Sequence, residues 1–480
     1  MRGECSAIAL PVAGTVLVGL IQSDWEVLMA HVRPIEALWG KETELALANF
    51  QVSGQALPIA IVHALADIKA EAARVNSAWG GSSDDVDRRR AEAIAAAALA
   101  VARGEHDDQF MIDIFQTGSG TSTNMNVNEV IATLASRASG ETVHPNDHVN
   151  ASQSSNDAFP TAVTIAAVAQ VTHDLIPAVN ALVETLARAG QRFEGVVKAG
   201  RTHMMDAVPI MLTDEFNGYA AQLAEGVERI ESALGRLGRV PLGGTAVGNG
   251  LNAPPDFGRD VVARLAQRLQ IQLSVAPDRF ASQAGRDSIV ETSSLVRGIA
   301  ISMIKIANDI RLMGSGPAAG LGELRLPELQ AGSSIMPGKV NPVMAEMVTQ
   351  VGAQVIGNDA TIAFAASQGQ FELNTYQPVM GAALLSSIQL VSNASKLFAE
   401  KCVDGLVADD QRCLTYAEST PALATGLNDR LGYDMVAKIV KTAVGERRSL
   451  IDVVVSEGLL DRATAEELLD PVAVAKGNRT

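Results

Sequence analysis

The chain has 480 residues, enough for one large or two to three ordinary domains and far above the length at which a core becomes hard to bury. Its 54 acidic residues against 38 Lys and Arg give a net charge of −16, which argues against a binder of phosphate backbones, so no nucleic-acid partner is expected. Aromatic residues are only 4% and charged residues 19%; abundant alanine favours close-packed helices over a β-sandwich, and the sparse charge points to surface buried in an oligomer. The three cysteines, Cys5, Cys402 and Cys413, form no C-x-x-C. A zinc ribbon, a redox dithiol and an iron–sulfur spacing are therefore unsupported, and a reducing compartment is expected.

The chain opens on an apolar run, Ala7 to Ile21, behind Arg2 and Glu4. The run has the length of a signal-peptide core, but the flanking charges cancel and no A-x-A follows, so residues 1–25 read as an atypical extension. The run is short for a membrane span, no other stretch reads as one, and no membrane partner is expected. Residues 40–105 predict helices separated by a charged turn, Ser82 to Arg90. Residues 106–160 carry dense polar clusters. Five long helical patterns follow: Ala162–Phe193 with a kink at Pro177, Thr213–Leu237, Ala281–Met313, Val343–Ser367 and Pro378–Lys401. They are apolar on more than one face, as in Ile299 to Ala307, which predicts a mostly α-helical fold whose bundle core continues across subunit contacts. A large helical monomer is the plainer alternative. Beyond residue 410 the pattern is of short helices, broken at Leu431–Gly432–Tyr433.

Four polar clusters interrupt these helices. The first, Gln116 to Asn126, offers backbone N–H groups and hydroxyls at a helix start, which suit an anion or equally a Ser/Thr capping loop. The second, His144 to Asp157, holds two His, three Asn, two Asp and three Ser. A metal set of His144, His148 and an Asp is disfavoured because Asn and Ser are poor ligands for soft metals. A carboxylate pocket around Ser154, Ser155 and Asn156 and a capping network both remain. The third, Gly200 to His203, places a histidine where it could be a general acid–base or a structural residue. The fourth, Gly332 to Pro342, presents Ser333, Ser334, Lys339 and Asn341 on a loop shaped by two glycines and two prolines. No nucleotide-binding glycine loop is present, and no cofactor or metal is expected. Donor-rich anion sites with a base suit proton abstraction next to a carboxylate, where a lysine and amide donors would stabilise the developing charge.

The sequence GSSIMPGKVNP at 332–342 resembles the signature of the fumarase/aspartase superfamily. The segments SGTSTNMNVNEV (119–130), HPNDHVNASQSSND (144–157), GRTHMMDAVP (200–209), GGTAVGNGLN (243–252) and KIANDIR (305–311) match in the same order. The resemblance spans roughly residues 36–470, and within the superfamily it is most similar to the class II fumarate hydratases. It implies a three-domain subunit (1–151, 152–410 with a five-helix bundle, 411–480) and a cytoplasmic homotetramer with a twenty-helix core and active sites shared between subunits. The implied reaction is the reversible hydration of fumarate to (S)-malate in the tricarboxylic acid cycle, by anti addition through a carbanion. It assigns Ser333 as the base that takes the C3 proton, and His203 with Glu346 and a water to the leaving hydroxyl. Lys339 and Asn341 would hold the charged intermediate. The substrate contacts would be Ser119, Gly120, Thr121, Ser154, Ser155, Asn156, Thr202, Ser334 and Val340. His144, Pro145, Asn146 and Asp147 would form a secondary anion site.

The chain departs from that pattern at His148, where the family usually has Asp, at Lys41 to Leu45, at Asn249 and upstream of Pro34. The nearest rival reading is aspartate ammonia-lyase on the same scaffold. A catalytically silent scaffold is the other, and it gives no chemical reason for Ser333, Lys339, His203 and Glu346 all to be present.

Overall fold

A computed structural model describes residues 36–79 and 85–477; the N-terminal apolar run and Cys5 lie outside them. The described chain is mostly helical and divides into two compact units, each drawn from several stretches of sequence. Of the described residues, the first comprises those up to 166, 239–285 and 368–382; the second comprises 167–238, 286–367 and those from 383 onward.

In the first unit, α1 (Lys41–Asn49), α2 (Ile59–Trp79), α3 (Asp85–Ala102) and α4 (Thr121–Ser139) pack on one another. The long α2 is buried along most of its length, and Arg268 pairs with its Asp67 (2.7 Å) and Glu71 (3.1 Å). The charged turn expected over 82–90 is shorter than that: residues from Asp85 onward are helical. Asp85 and Asp87 occupy the first turn of α3, where the helix dipole favours acids, and Arg88 and Arg90 answer them three residues on. The first polar cluster is likewise more helical than its composition suggests, since α4 begins at Thr121.

Helix α5 (Ser155–Gln170) leads through a π turn, Val171–Leu175, into α6 (Ile176–Arg192). The interruption expected at Pro177 is that turn, with the proline placed at the start of α6, where its missing N–H costs nothing. The stretch from Ser155 to Arg192 is long and apolar enough to cross a membrane, but most of its apolar window is buried inside the protein, as in a core helix.

The second unit holds α6, a hairpin of β1 (Val197–Thr202) and β2 (Met205–Met211), and α7 (Leu212–Leu237). The hairpin was not expected from sequence. In the first unit, β3 (Arg239–Val240) runs parallel to β4 (Ser274–Val275), with α8 (Phe257–Leu269) between them. The helix expected over Ala281–Met313 is broken. Gly285 takes extended backbone (φ −102°, ψ 149°), which ends the short α9 (Arg279–Ala284) and separates it from α10 (Asp287–Met313).

Helix α10 packs on both α7 and α11 (Val343–Ala366). Small residues allow this close approach: a Cβ on Gly352 would lie 2.4 Å from Ile304 Cδ1, and one on Gly226 would lie 3.0 Å from Ile299. Before α11, β5 (Leu324–Arg325) pairs antiparallel with β6 (Val407–Ala408), which follows α12 (Gln377–Lys401). The chain ends in α13 (Asp410–Ser419), α14 (Asn428–Leu431), α15 (Tyr433–Glu446), α16 (Leu450–Ser456), α17 (Arg462–Leu468) and α18 (Pro471–Lys476). The break at Gly432 falls between α14 and α15, where its φ is +75°. Leu423, Leu427, Ile439, Val453, Val454 and Leu469 form a separate small core there.

Candidate active site

The loop Gly332–Pro342 closes on itself. The Gly332 N–H donates to Lys339 O (3.1 Å), and the Asn341 amide donates back to Gly332 O (2.8 Å). Only glycine fits at 332, because a Cβ would stand 2.1 Å from the Lys339 carbonyl oxygen. Inside this loop the Ser333 Oγ accepts from the backbone N–H groups of Ile335 (3.2 Å) and Met336 (3.1 Å). Two N–H dipoles aimed at one oxygen favour negative charge there. Ser334, Lys339 and Val340 are exposed. Lys339 lines a cavity of about 930 Å³ with Arg325, Met336, Asp409, Arg412 and Thr415. Glu346 follows in the first turn of α11.

His203 sits at the tip of the β1–β2 hairpin with Met204. Both have positive φ (55° and 62°), the backbone that a two-residue hairpin turn of this type demands and that β-carbon-bearing residues adopt at a cost. Thr202 and His203 are exposed. Among the described residues, no hydrogen bond within one chain joins His203 to Glu346.

The anion cluster lies in the first unit. A relay of hydroxyls runs from Ser119 Oγ to Thr121 Oγ1 (2.7 Å) and on to Ser155 Oγ (2.6 Å). Gly120 joins Ser119 to α4 with φ +73°, and a Cβ there would overlap the buried Phe159 ring at 2.2 Å. The Ser154 Oγ accepts from the Asn156 N–H (3.2 Å), and the Asn156 amide donates to Ala246 O (2.8 Å). Thr121, Asn124, Asn150, Ser154, Ser155 and Thr245 line a cavity of about 390 Å³. The first two N–H groups past the start of α4 are already taken: Ser122 N donates to Thr117 Oγ1 and Thr123 N to Gln116 Oε1. The first cluster thus caps α4 and supplies hydroxyls at the same time.

The secondary cluster forms a single π turn, Pro145–Val149. The His144 N–H donates to His148 Nδ1 (2.8 Å), and the Asp147 N–H donates to His144 Nδ1 (3.1 Å). Burial and the nearby Arg90 charge hold His148 below the usual histidine value. His148 faces a cavity of about 250 Å³ with Arg88, Arg90 and Asp147.

Several groups that shape these clusters were missed from sequence. Asp157 is fully buried; its carboxylate accepts the N–H groups of Ser154, Gly243 and Thr245, each at 2.9 Å. Burial raises its pKa against those donors. Lys69, also fully buried, donates to Asn150 Oδ1 (2.8 Å) on the wall of the 390 Å³ cavity. Glu129 binds the N-terminus of α1 through Gly40, Glu42 and Thr43. Of these, Asp157 and Glu129 lie within segments that the sequence singled out, and Lys69 does not.

A long-helix bundle bearing this closed serine–lysine–asparagine loop defines a lyase of the fumarase/aspartase superfamily. The family described as "Lyase" matches residues 30–357, and "Fumarase C C-terminus" matches residues 423–476. The class II fumarate hydratase of Corynebacterium efficiens is 51% identical over 93% of this chain and 94% of its own. That of Mycobacterium tuberculosis is also 51% identical, over 94% and 95%. The crystal structure of a class II fumarase from Schistosoma mansoni superposes with a TM-score of 0.90 at 37% identity, covering 93% of this chain and 97% of that one. The chain belongs to the class II fumarate hydratase family.

Proposed function

We propose that the protein interconverts fumarate and (S)-malate, with Ser333 as the base. The observation that carries this reading is the pair of N–H groups on Ser333 Oγ, at 3.1 and 3.2 Å. A serine is a weak base unless its alkoxide is stabilised; two preorganised dipoles contribute to that stabilisation, and Lys339 belongs to the same closed loop. In the dehydration of malate, Ser333 takes the C3 proton. The electron pair left on C3 spreads into the adjacent carboxylate, whose added charge Lys339 and Asn341 neutralise. The C2–O bond then breaks, and the hydroxyl leaves as water with a proton delivered through His203 and Glu346. The reaction uses neither nucleotide nor redox cofactor.

Ser119, Gly120, Thr121, Ser154, Ser155 and Asn156, with Thr202, Ser334 and Val340, hold the substrate carboxylates. Neutral donors in this number bind a dianion without fixing a permanent counter-charge. His144, Pro145, Asn146 and Asp147 form a secondary anion site. The working form is a cytoplasmic homotetramer in which different subunits complete each site, so that His203 meets Glu346 between chains. The subunit has three domains, 1–151, 152–410 and 411–480; the separate core around Leu427, Ile439 and Val453 supports the last of these.

The test follows the ultraviolet absorbance of fumarate with purified protein. Absorbance should fall without added ammonium, and Ser333→Ala should reduce the rate to the uncatalysed background. A fall that requires ammonium would instead make the protein an aspartate ammonia-lyase.

A further inference from the structure

We propose that Glu323 is a positioning residue: its buried carboxylate clamps Arg201 and so fixes the hairpin tip that carries His203. The proposal rests on the role given to His203 above.

Glu323 has no exposed surface. Its two oxygens receive the two terminal nitrogens of Arg201, each at 2.9 Å, in a bidentate fork. Lys198 Nζ stands 3.7 Å from the same carboxylate and donates to Glu215 Oε2 at 2.8 Å. Two cations and two anions thus balance beneath the hairpin, and Asp206 adds a further negative charge near Arg201.

The backbone leading to Arg201 is irregular. The strand register shifts between Ala199 and Arg201, at Gly200, where a Cβ would lie 2.5 Å from Val208 O. The two steps from Ala199 to Arg201 face three steps on β2, from Pro209 to Asp206, so β2 carries the extra residue and the ladder twists as it enters the tip. Arg201 turns inward onto Glu323 and stacks over the Tyr416 ring at 5.6 Å, while Thr202 and His203 emerge at the exposed tip.

Glu323 is itself held on more than one side. Its N–H donates to Met313 O at the end of α10 (2.9 Å), and its carbonyl accepts from the Asp409 N–H (2.9 Å). It immediately precedes β5, the strand from which the chain runs to the Ser333 loop. The carboxylate therefore ties the hairpin to the end of α10 and to β5 of its own chain. Strained backbone at the tip persists only where the surrounding structure holds it.

The experiment compares kcat and KM for malate in the parent, Glu323→Gln, His203→Gln and the double variant. Glu323→Gln keeps the shape but puts an amide NH2 against the guanidinium. The expected result is a fall in kcat of about tenfold to a hundredfold, the range that misplacement of a catalytic group by about 1 Å produces. KM should change by less than about threefold, because of the residues assigned to the carboxylates only Thr202 lies on the hairpin. The double variant should be no slower than His203→Gln alone, since a positioning residue has nothing left to position.

An unchanged kcat in folded Glu323→Gln protein, or losses that multiply in the double variant, would overturn the proposal. If His203→Gln alone is fully active, the role given to His203 fails instead, which is a separate outcome. Should Glu323→Gln not fold, Arg201→Lys keeps the charge and one hydrogen bond, and the same kcat criterion and the same cycle with His203→Gln apply to it.

Discussion

Lys69 shows how a single buried charge couples this fold to pH. Burial, opposed by the Asp157 charge, pushes the ammonium from its usual 10.5 down to about 7. The unfolded chain therefore keeps this proton well into the alkaline range, while the folded chain gives it up near 7. Between those values the unfolded state binds more protons, so the stability contributed at this site rises with pH. Below about 7 both states carry the proton, and the full cost of burying a charge is felt. The unfolding midpoint of the parent, measured against that of Lys69→Met, should therefore climb between pH 7 and pH 9. A flat difference across that range would show that Lys69 stays charged in the fold. The same residue illustrates what sequence hides. A lysine in an alanine-rich helix reads as solvent-facing, and only Asn150, 81 residues away, reveals its burial. Ser333, Lys339 and Asn341 were legible because the loop that unites them is local and closes on itself. Asp157 and Glu323 act on partners 86 and 122 residues distant, and no local pattern signals such a pair.

Among the elements, the long helices α7, α11 and α12 were legible nearly to the residue, because sustained apolar faces mark a buried helix whatever surrounds it. The β1–β2 hairpin was not. Its turn is His203–Met204, without the Asn or Gly that ordinarily signals a two-residue turn, so no local code announced it. Helix α1 departs from the family pattern at Lys41 to Leu45, yet it is firmly docked. The Glu129 carboxylate accepts the N–H groups of Gly40 (2.9 Å), Glu42 (3.0 Å) and Thr43 (3.1 Å) and the Thr43 hydroxyl (2.6 Å). This places an anion on the positive end of the helix dipole and satisfies donors that a helix start otherwise leaves open. Glu129→Gln removes that charge and turns an NH2 toward N–H groups. We expect a loss of about 1–3 kcal/mol, typical of stranding buried donors, felt locally at α1. Hydrogen exchange should quicken at residues 40–47 while the amides of α10 stay protected. Equal protection at both places would mean that α1 is held by its apolar face, Ala46 and Leu47 against Ile112, and not by its cap.

At the scale of the molecule, the residues assigned to the reaction fall in both compact units: the hydroxyl cluster in one, and the His203 hairpin, the Ser333 loop and Glu346 in the other. The second unit exposes large apolar side chains on its long helices: Ile301 on α10, Ile356 and Phe364 on α11, and Leu397 on α12. Each is between 42% and 62% accessible. Ile356 and Phe364 are eight residues apart, close to two full turns, and therefore share a face. Fully burying one such side chain contributes about 1.5–3 kcal/mol, so a face that repeats them across several helices can hold subunits together, and one that stayed in water would forgo that stabilisation. Ile356→Asp with Phe364→Asp should break the assembly. The parent should sediment near 200 kDa, as four chains of 50.2 kDa, and the double variant as a smaller species with its helical circular dichroism retained. Fumarate hydration should fall with the assembly if His203 meets Glu346 between chains, as proposed above. A variant that remains at 200 kDa and active would place the subunit contacts on another face of the bundle. A variant that dissociates yet keeps its activity would show that one chain holds a complete site, and the shared-site reading would fall.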